Sequence, residues 1–577
     1  VEKWVVTTKK ANFQEIAEKF HINQVTARLI RNRDVVGDDA IEEYLNGSLL
    51  NLHNPHMLLD CDKAVEILLE KLEEQKKIRI IGDYDIDGVN ATVILYKGLR
   101  HCHGNVDYEI PHRIRDGYGI NIQLIQDAYE DGVDTIITCD NGIAAVDQVE
   151  YAKSLGMTVI ITDHHEPMEE KPKADAIVNP KQQECTYPYK QLCGAAIAYK
   201  VIVCLYEAVG ISKRESDMFI EYAAIATIGD VMDLTGENRI IVKEGLQMLS
   251  KTTNLGLKAL IEANGLKGSD ISSYHIGFVL GPCINAGGRL DTAERAARLL
   301  LTESESEALQ IAEELKLLND ERKSMTLEGL ERAVEEIETG GLKNDKVFIV
   351  YLPDCHESLA GIIAGRIRER YHKPTFVLTD GEESVKGSGR SIEAYQMFDE
   401  MMKCRELFLK FGGHPMAAGL SILKENVPNL RERLNALTDL TEEDFIPKVT
   451  IDIPMPISYI SEALIDELTY LEPFGKGNPK PLFAEKNLNI LSARILGKNK
   501  NVIKLQILNS TGISMDAMYF GDTDVFQEYL IGKFTASEVE KLFQGRKNRI
   551  TLSLTYYPSV NEFRDVKTIQ IVIQHYM

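Results

Sequence analysis

No uninterrupted apolar run in this sequence approaches the roughly 18 residues that a membrane-spanning helix needs. The opening VEKWVVTTKK lacks the apolar stretch of a signal peptide. The nine cysteines are odd in number, scattered, and include no Cys-x-x-Cys pair. They read as reduced, mostly buried side chains, so a cytoplasmic protein with no membrane partner is expected. No internal repeat or low-complexity tract is found. Positive charge is also scarce, with a formal net charge of −23. Phosphate contacts want Lys and Arg, so this balance argues weakly against a nucleic-acid binder. It does not decide the matter, because a local basic groove can sit on an acidic body.

What is present is a chain of 577 residues, 44% hydrophobic and 27% charged, too long for one core and ordinary for a globular protein of several domains. Residues 1–50 are mostly helical in pattern and carry no catalytic signature. Short apolar runs then alternate with helical stretches. IRII (78–81), VDYEI (106–110), DTIIT (134–138) and TVIIT (158–162) read as strands; 91–100, 121–131 and 143–155 read as helices. That alternation predicts a parallel, doubly wound sheet. Residues 215–265 look helical. A charged helix is expected over 303–339, read as a solvated connector. A second α/β block starts at KVFIVYLP and ends near 445. Beyond it LNILSARIL, VIKLQIL, ITLSLTYYP and KTIQIVIQHY suggest a β-barrel of the oligonucleotide-binding (OB) type.

Three acidic clusters each follow directly on an apolar strand. They are Asp83-Tyr84-Asp85-Ile86-Asp87, Asp140-Asn141, and Asp163-His164-His165-Glu166. Parallel strands bring all three to one edge, beyond the carboxyl ends where open α/β sheets bind ligands. So many carboxylates together repel one another unless cations neutralise them. Carboxylates with imidazole suit Mn²⁺ or Mg²⁺. Asp83, Asp85, Asp87 and Gly88 imitate the opening of an EF-hand loop. The required Glu at position twelve is Ile94 here, and a strand leads in, so that reading fails. One cluster alone would pass for a solvated turn or helix cap; three in register do not. Asp230 ends the apolar run AAIATIGD and is a further candidate, with Asp233 as its competitor.

KGSGRS (386–391) combines small residues with two cations, read either as an ordinary basic turn or as a loop whose backbone approaches a phosphate while Arg390 binds it. In FGGHPMAAG (411–419), Gly412 and Gly413 permit unusual backbone angles and His414 offers a donor, as in a shaped loop facing a ligand. Tyr118, between two glycines, is a candidate for stacking on a base.

Together these motifs closely resemble the DHH phosphoesterase family, in its RecJ branch. Asp163-His164-His165 stands as the DHH signature and GDYDIDG as the first motif. IPHR…GYG (110–119), CGAA (193–196), INAGGRL (284–290), the KGSGRS and FGGHPMAAG segments, and LEPFGKGNP (471–479) continue the likeness over roughly residues 50 to 577. His112 stands where the family usually has Asn, and Cys283 where an Arg is common. The resemblance implies that Asp85, Asp87, Asp140, His164 and Asp230 ligate two Mn²⁺ or Mg²⁺ ions. Asp83 and His165 join the catalytic set, His165 either contacting the scissile phosphate or donating to the leaving group. Arg113, Tyr118, Arg289, Ser388, Arg390, Gly413 and His414 would bind substrate. The implied architecture is an N-terminal segment (1–50), a parallel-sheet DHH domain (51–302), a connecting helix (303–340), a smaller α/β DHH-associated domain (341–445) and an OB-type barrel (446–577). The implied activity is 5′→3′ exonucleolytic hydrolysis of single-stranded DNA in repair and recombination. A RecQ-type helicase and a single-strand binding protein are implied as partners of a monomer. The alternatives are a DHH enzyme for short oligonucleotides or cyclic dinucleotides, and a non-catalytic DNA-binding relative.

Overall fold

The computed structural model describes residues 2–497, 500–563 and 566–577. The chain divides into two compact units. One comprises His53–Met232 and Ile241–Pro447; the other comprises Glu2–Leu52, Asp233–Ile240 and Lys448–Met577. Among the described residues no helix is long and apolar enough to cross a membrane.

The first unit opens with the expected β/α alternation. Strands β1 (Lys77–Ile81), β2 (Asn105–Glu109), β3 (Thr135–Cys139), β4 (Thr158–Thr162) and β5 (Ala176–Val178) are joined by helices that include α1 (Ile86–His101), α2 (Ile122–Glu130) and α3 (Val146–Ser154). All pairings are parallel, in the order β2-β1-β3-β4-β5. β-branched Ile and Thr fill β3, which is buried along its whole length, as a strand covered on both faces requires. The strand order reverses between β1 and β3, and such a switch point opens a crevice at the carboxyl edge. Two strongly apolar helices, α4 (Gly194–Val209) and α5 (Ile220–Gly229), are buried nearly all round. Strand β5 has only three residues, too few to show an alternating pattern in the sequence.

Helix α6 (Gly281–Leu290) leads toward α7 (Glu305–Thr339), which is 35 residues and therefore about 52 Å long. The reading of α7 as a solvated connector is corrected here. Ala308, Ile311, Ala312 and Leu315 are buried near its start, and Ala333 and Ile337 near its end. The first group packs against the helices that follow the parallel sheet; the second joins the core of the following sheet. The charged residues that dominate the composition occupy the opposite face.

That second sheet holds β6 (Phe348–Tyr351), β7 (Thr375–Asp380), β8 (Val385–Arg390), β9 (Phe408–His414) and β10 (Ala417–Ile422), with helix α8 (Ala360–Tyr371) between β6 and β7. The order is β9-β10-β8-β7-β6, and only β6 and β7 are parallel. KGSGR is therefore a central strand and FGGH…AAG a hairpin, where loops were expected. The glycines serve close packing. A Cβ on Gly389 would lie 2.5 Å from the Met397 sulfur, and one on Gly413 (φ 157°) would lie 2.5 Å from the Ala417 carbonyl oxygen.

In the second unit, β11 (Phe483–Leu496), β12 (Val502–Leu508), β13 (Ser514–Phe520), β14 (Thr551–Phe563) and β15 (Val566–Tyr576) pair in the order β14-β11-β12-β13-β15, and β15 pairs again with β14. Its core is not purely C-terminal. Leu29, Ile30, Ile41 and Tyr44 pack in one cluster with Leu488, Ile503 and Leu554. Strand Lys3–Val6 pairs in parallel with Lys448–Ile451.

The buried Arg239 ties three stretches of this unit together. Its guanidinium donates to the carbonyls of Tyr44, Tyr470 and Leu471, each at 2.9 Å, and lies 3.9 Å over the Tyr44 ring. Asn478 accepts from the Tyr44 hydroxyl and donates to the Leu471 and Pro473 carbonyls. LEPFGKGNP is thus a structural clasp. A lysine at 239 cannot span three divergent acceptors. Arg239→Lys should cost this unit about 2–3 kcal/mol, chiefly through the Tyr44 and Tyr470 carbonyls losing a donor, seen by calorimetry as a lower transition for this unit with that of the other unmoved.

Candidate active site

Each acidic cluster sits where a strand ends. After β1 the chain turns so tightly that a Cβ on Gly88 would stand 2.4 Å from the Asp83 carbonyl oxygen. Asp85 caps α1, accepting from the backbone N–H groups of Asp87 (2.9 Å) and Gly88 (3.0 Å). Asp87, fully buried, accepts from the first N–H groups of α4, at Gly194 (2.6 Å) and Ala195 (2.8 Å). The positive end of α4 therefore holds a carboxylate that burial would otherwise neutralise. Asp140 follows β3 in the left-handed region (φ 61°), where Asp is tolerated better than most residues. Asp230 terminates α5 as its C-cap.

The donors converge without satisfying one another. Three triplets lie close enough to hold a cation: Asp83, Asp85 and Asp140; Asp87, His164 and Asp230; and Asp140, His164 and His165. Asp140 belongs to two of them. The His164 Nε2 stands 3.1 Å from Asp140 Oδ1, 3.6 Å from Asp87 Oδ2 and 3.7 Å from Asp230 Oδ2. Yet the buried Asp140 Oδ1 makes no hydrogen bond, nor does Asp83 Oδ1. Buried oxygens facing a common point without a proton between them fit divalent cations. The donor set, carboxylates with one imidazole, fits Mn²⁺ or Mg²⁺.

The electrostatics agree. Burial first, and repulsion among the carboxylates second, raise Asp83 and Asp140 well above the ordinary carboxylate range and lift Asp87 to about 6. Burial and the neighbouring His165 lower His164 to about 3, which leaves the neutral imidazole a metal ligand requires. Asp163 plays another part. Its Oδ2 accepts from the Ile143 N–H, and its Oδ1 accepts from the N–H groups of His164 and His165 and lies 2.7 Å from the His165 Nδ1. The signature's first residue is thus a buried positioning group. Burial lowers His165, but its bond to Asp163 together with the charges of Asp163, Asp230 and Asp87 more than offsets this and raises it.

A cationic cluster belongs to the same unit. The Arg113 guanidinium lies 4.8 Å over the Tyr84 ring. Arg289, in the last turn of α6, donates to the Ser358 carbonyl at 2.8 Å. Burial, then repulsion from Arg113 and Arg322, lowers it to about 10. Arg390 donates to the Gly389 carbonyl and is likewise lowered, by burial and by Arg368. A Cβ on Gly361 would stand 2.9 Å from the Arg390 Nη2 and 3.0 Å from the Ser388 Oγ. The start of α8 thus closes on both side chains. Among the described residues, Arg113, Arg289 and Arg390 form no ion pair, and crowded unpaired guanidinium groups suit an anion. Register puts His414, Ala417 and Arg390 opposite one another, and Gly412, Gly419 and Ser388 likewise. One face of the sheet therefore carries Ser388, Arg390 and His414. Gly413 lies on the other face, where its role is to let the hairpin close.

Tyr118 is fixed. Its hydroxyl donates to the Asp140 carbonyl at 2.6 Å, and its ring meets Tyr84 and His165 edge-on. Asp233 belongs with the other unit, where it pairs with Lys476. Both departures noted in the sequence have local partners. The His112 Nδ1 accepts from the backbone N–H groups of Ile114 and Arg115, as an Asn oxygen would. Cys283 is buried against Asn319 of α7. Sequence reasoning missed the roles of Asp163, Gly194, Ala195 and Gly361. The CGAA segment was a visible signal for two of them; Gly361 gave none.

Fold and site together define a metal-dependent hydrolase of the DHH type. Residues 77–229 match the N-terminal domain of the DHH family, 344–439 the DHHA1 domain and 451–575 the RecJ OB domain. The chain is 35% identical to the single-stranded-DNA-specific exonuclease RecJ of Bacillus subtilis, over 97% of this chain and 69% of that one. It is 32% identical to the protein of that name from Haemophilus influenzae, over 95% of both. The crystal structure of RecJ in complex with Mn²⁺ from Thermus thermophilus superposes with a TM-score of 0.84 at 26% identity, covering 100% of this chain and 79% of that one. This chain belongs to the RecJ family.

Two substitutions separate ligand from scaffold. Asp140→Ala removes a donor common to two triplets. It should lower Mn²⁺-dependent hydrolysis by about 10³-fold or more, with the folded state and DNA binding retained in circular dichroism and gel-shift assays. Gly194→Ala removes no ligand, but its Cβ would stand 2.8 Å from the Asp140 Cβ. Mn²⁺ affinity by calorimetry should fall roughly 10- to 100-fold, the usual cost of disturbing an outer partner.

Proposed function

We propose that this chain degrades single-stranded DNA from an end, hydrolysing phosphodiester bonds at the carboxyl edge of the parallel sheet. The observation that carries the reading is the pairing, in one unit, of two donor sets sharing Asp140 with unpaired Arg113, Arg289 and Arg390. Asp83, Asp85 and Asp140 would hold one Mn²⁺ or Mg²⁺, and Asp87, Asp140, His164 and Asp230 the other. Such a pair supplies a hydroxide at neutral pH and neutralises charge on the leaving oxygen.

The remaining work falls to the chain. Arg113, Arg289, Arg390 and Ser388 grip the phosphate next to the scissile one, fixing the register in which the bond meets the carboxylates. His165, held by Asp163 and partly exposed, is placed to hold a proton for the leaving oxygen. Tyr118 fixes the wall beside it. The domain matching the RecJ OB family suits a longer strand, through stacking and charge. That favours a polymer over a dinucleotide. Resemblance supplies the finer reading: 5′→3′ direction, a cytoplasmic monomer, and a RecQ-type helicase and a single-strand binding protein as partners that deliver the strand.

The test is digestion of end-labelled single strands, their blunt duplex and a dinucleotide in Mn²⁺. Mononucleotides should leave the single strand from its 5′ end, with the duplex resistant. Hydrolysis of the dinucleotide alone would establish the short-substrate reading instead. Arg390→Ala should lower kcat/KM on the single strand about 10- to 100-fold, the worth of one charge-assisted contact, without changing Mn²⁺ affinity. Loss of Mn²⁺ binding in that variant would place Arg390 in the metal centre.

A further inference from the structure

Metal-ligating side chains also gather away from the sheet edge. His56, Asp62 and Cys204 offer donor atoms within 4.8 Å of one another. His56 lies in the 3-10 turn Pro55–Met57, Asp62 in the first turn of the helix Cys61–Glu73, and Cys204 on α4. Cys61, beside Asp62, brings its thiol to 3.4 Å from the Cys204 sulfur. Both cysteines are buried and free. The imidazole is held at both ends, with Nδ1 2.5 Å from Asp62 Oδ1 and Nε2 3.0 Å from Glu207 Oε2. Glu207 follows Cys204 by three residues on α4, so the two share a helix face.

We propose that Cys61, Cys204, His56 and Asp62 form a second, structural metal site that takes Zn²⁺, with Glu207 orienting the imidazole. Two thiols, an imidazole and a carboxylate make the four-donor set that tetrahedral zinc accepts. With Zn–S bonds of about 2.3 Å, two ligand sulfurs stand roughly 3.8 Å apart, close to the 3.4 Å between these thiols; Cys61 stands outside the close triplet of His56, Asp62 and Cys204 and would have to move toward it to become the fourth ligand. His56 Nδ1 and Asp62 Oδ1 must part as the proton between them leaves. A ligating histidine commonly passes its second ring N–H to a carboxylate, which is the place of Glu207. Thiolates select zinc over Mn²⁺ and Mg²⁺, so the two centres need not compete for the same ion. On binding, both thiols release their protons to solvent and the imidazole binds as the neutral base. The ion would pin the 3-10 turn and the helix Cys61–Glu73 to α4, the helix whose first N–H groups hold Asp87.

The competing arrangement is a charged His56 between two carboxylates, over two ordinary buried thiols. Full-length protein loaded with zinc and dialysed would be assayed for metal by mass spectrometry, and cobalt-substituted protein for a thiolate-to-cobalt charge-transfer band. One zinc per chain should survive dialysis and resist displacement by excess Mn²⁺. The cobalt band should appear and be lost in Cys204→Ser. His56→Asn and Asp62→Asn alter exposed side chains, so they carry the test even if Cys204→Ser does not fold. Each should lose the retained zinc while keeping Mn²⁺-dependent hydrolysis, and Glu207→Gln should weaken zinc roughly 10- to 100-fold. Absence of the cobalt band overturns the proposal. So does zinc retained equally by wild type and His56→Asn, or an intact mass showing Cys61 and Cys204 joined with loss of two hydrogens.

Discussion

Carboxylates crowded out of water at the point where the strand order reverses are the constraint on which this molecule is built. Asp83, Asp87 and Asp140 are all nearly inaccessible, and each is pushed toward its protonated form by burial and by neighbouring carboxylates, Asp85 in every case. Two like charges about 4 Å apart repel by about 4 kcal/mol at the effective dielectric of a protein site. Several such pairs would rival the 5–15 kcal/mol that typically holds a domain folded. The cluster is compatible with a stable fold only when protons or cations neutralise it. Metal binding, proton release and local stability are therefore one linked equilibrium here.

The surrounding structure manages this repulsion by directing dipoles and rigid elements at it. The N-terminus of α4 takes Asp87, that of α1 takes Asp85, and the backbone around Ile143 and His164 takes Asp163. Each bond fixes a carboxylate without neutralising it, which leaves lone pairs for an ion. The arginines present the opposite problem. Arg289 and Arg390 are half-buried cations without acidic partners among the described residues, each shifted toward losing its proton. Helix α7, packed into both cores, carries the sheet that bears Arg390 as part of the unit that bears the carboxylates. Cations relieve the crowding of the carboxylates, and an anionic phosphate would relieve that of the arginines. This is why a net charge of −23 says little about affinity for nucleic acid: the relevant field is set by a few buried groups rather than by the solvated acidic surface.

How much of this was legible in the sequence follows from the range of each signal. A strand followed by an acid is local, so IRII–GDYD, DTIITCD and TVIITDHH gave the sheet and nearly all of its cation-facing donors. Strand β8 was illegible because its glycines abolish the alternation by which a strand is recognised, and close packing against Met397 and Phe376 is visible only in three dimensions. The apolar stripe of α7 was masked by its charged composition. The partnership of Leu29 and Tyr44 with a sheet more than 400 residues away leaves no local trace. Asp163 was recognised as part of a signature, but only its hydrogen bonds separate it from the ligands. His56 and Cys204 lie 148 positions apart and carry no spacing motif.

Helix α4 brings these threads together, because its two ends meet two different chemistries. Gly194 and Ala195 offer N–H groups to a hard, oxygen-rich centre; Cys204, ten residues and about 15 Å further along the axis, offers sulfur to a neighbouring thiol and imidazole. A ligand bound at the second place would act on the first only through the position of the helix. Gly194 has almost no freedom there, since even a methyl group would stand within 3.0 Å of the Asp140 Cα. The close approach of α4 to the carboxylate cluster therefore leaves no room for a side chain at 194. A helix under so tight a requirement at its N-terminus gains from an anchor at its far end, and the buried thiols with His56, Asp62 and Glu207 stand where that anchor would be placed.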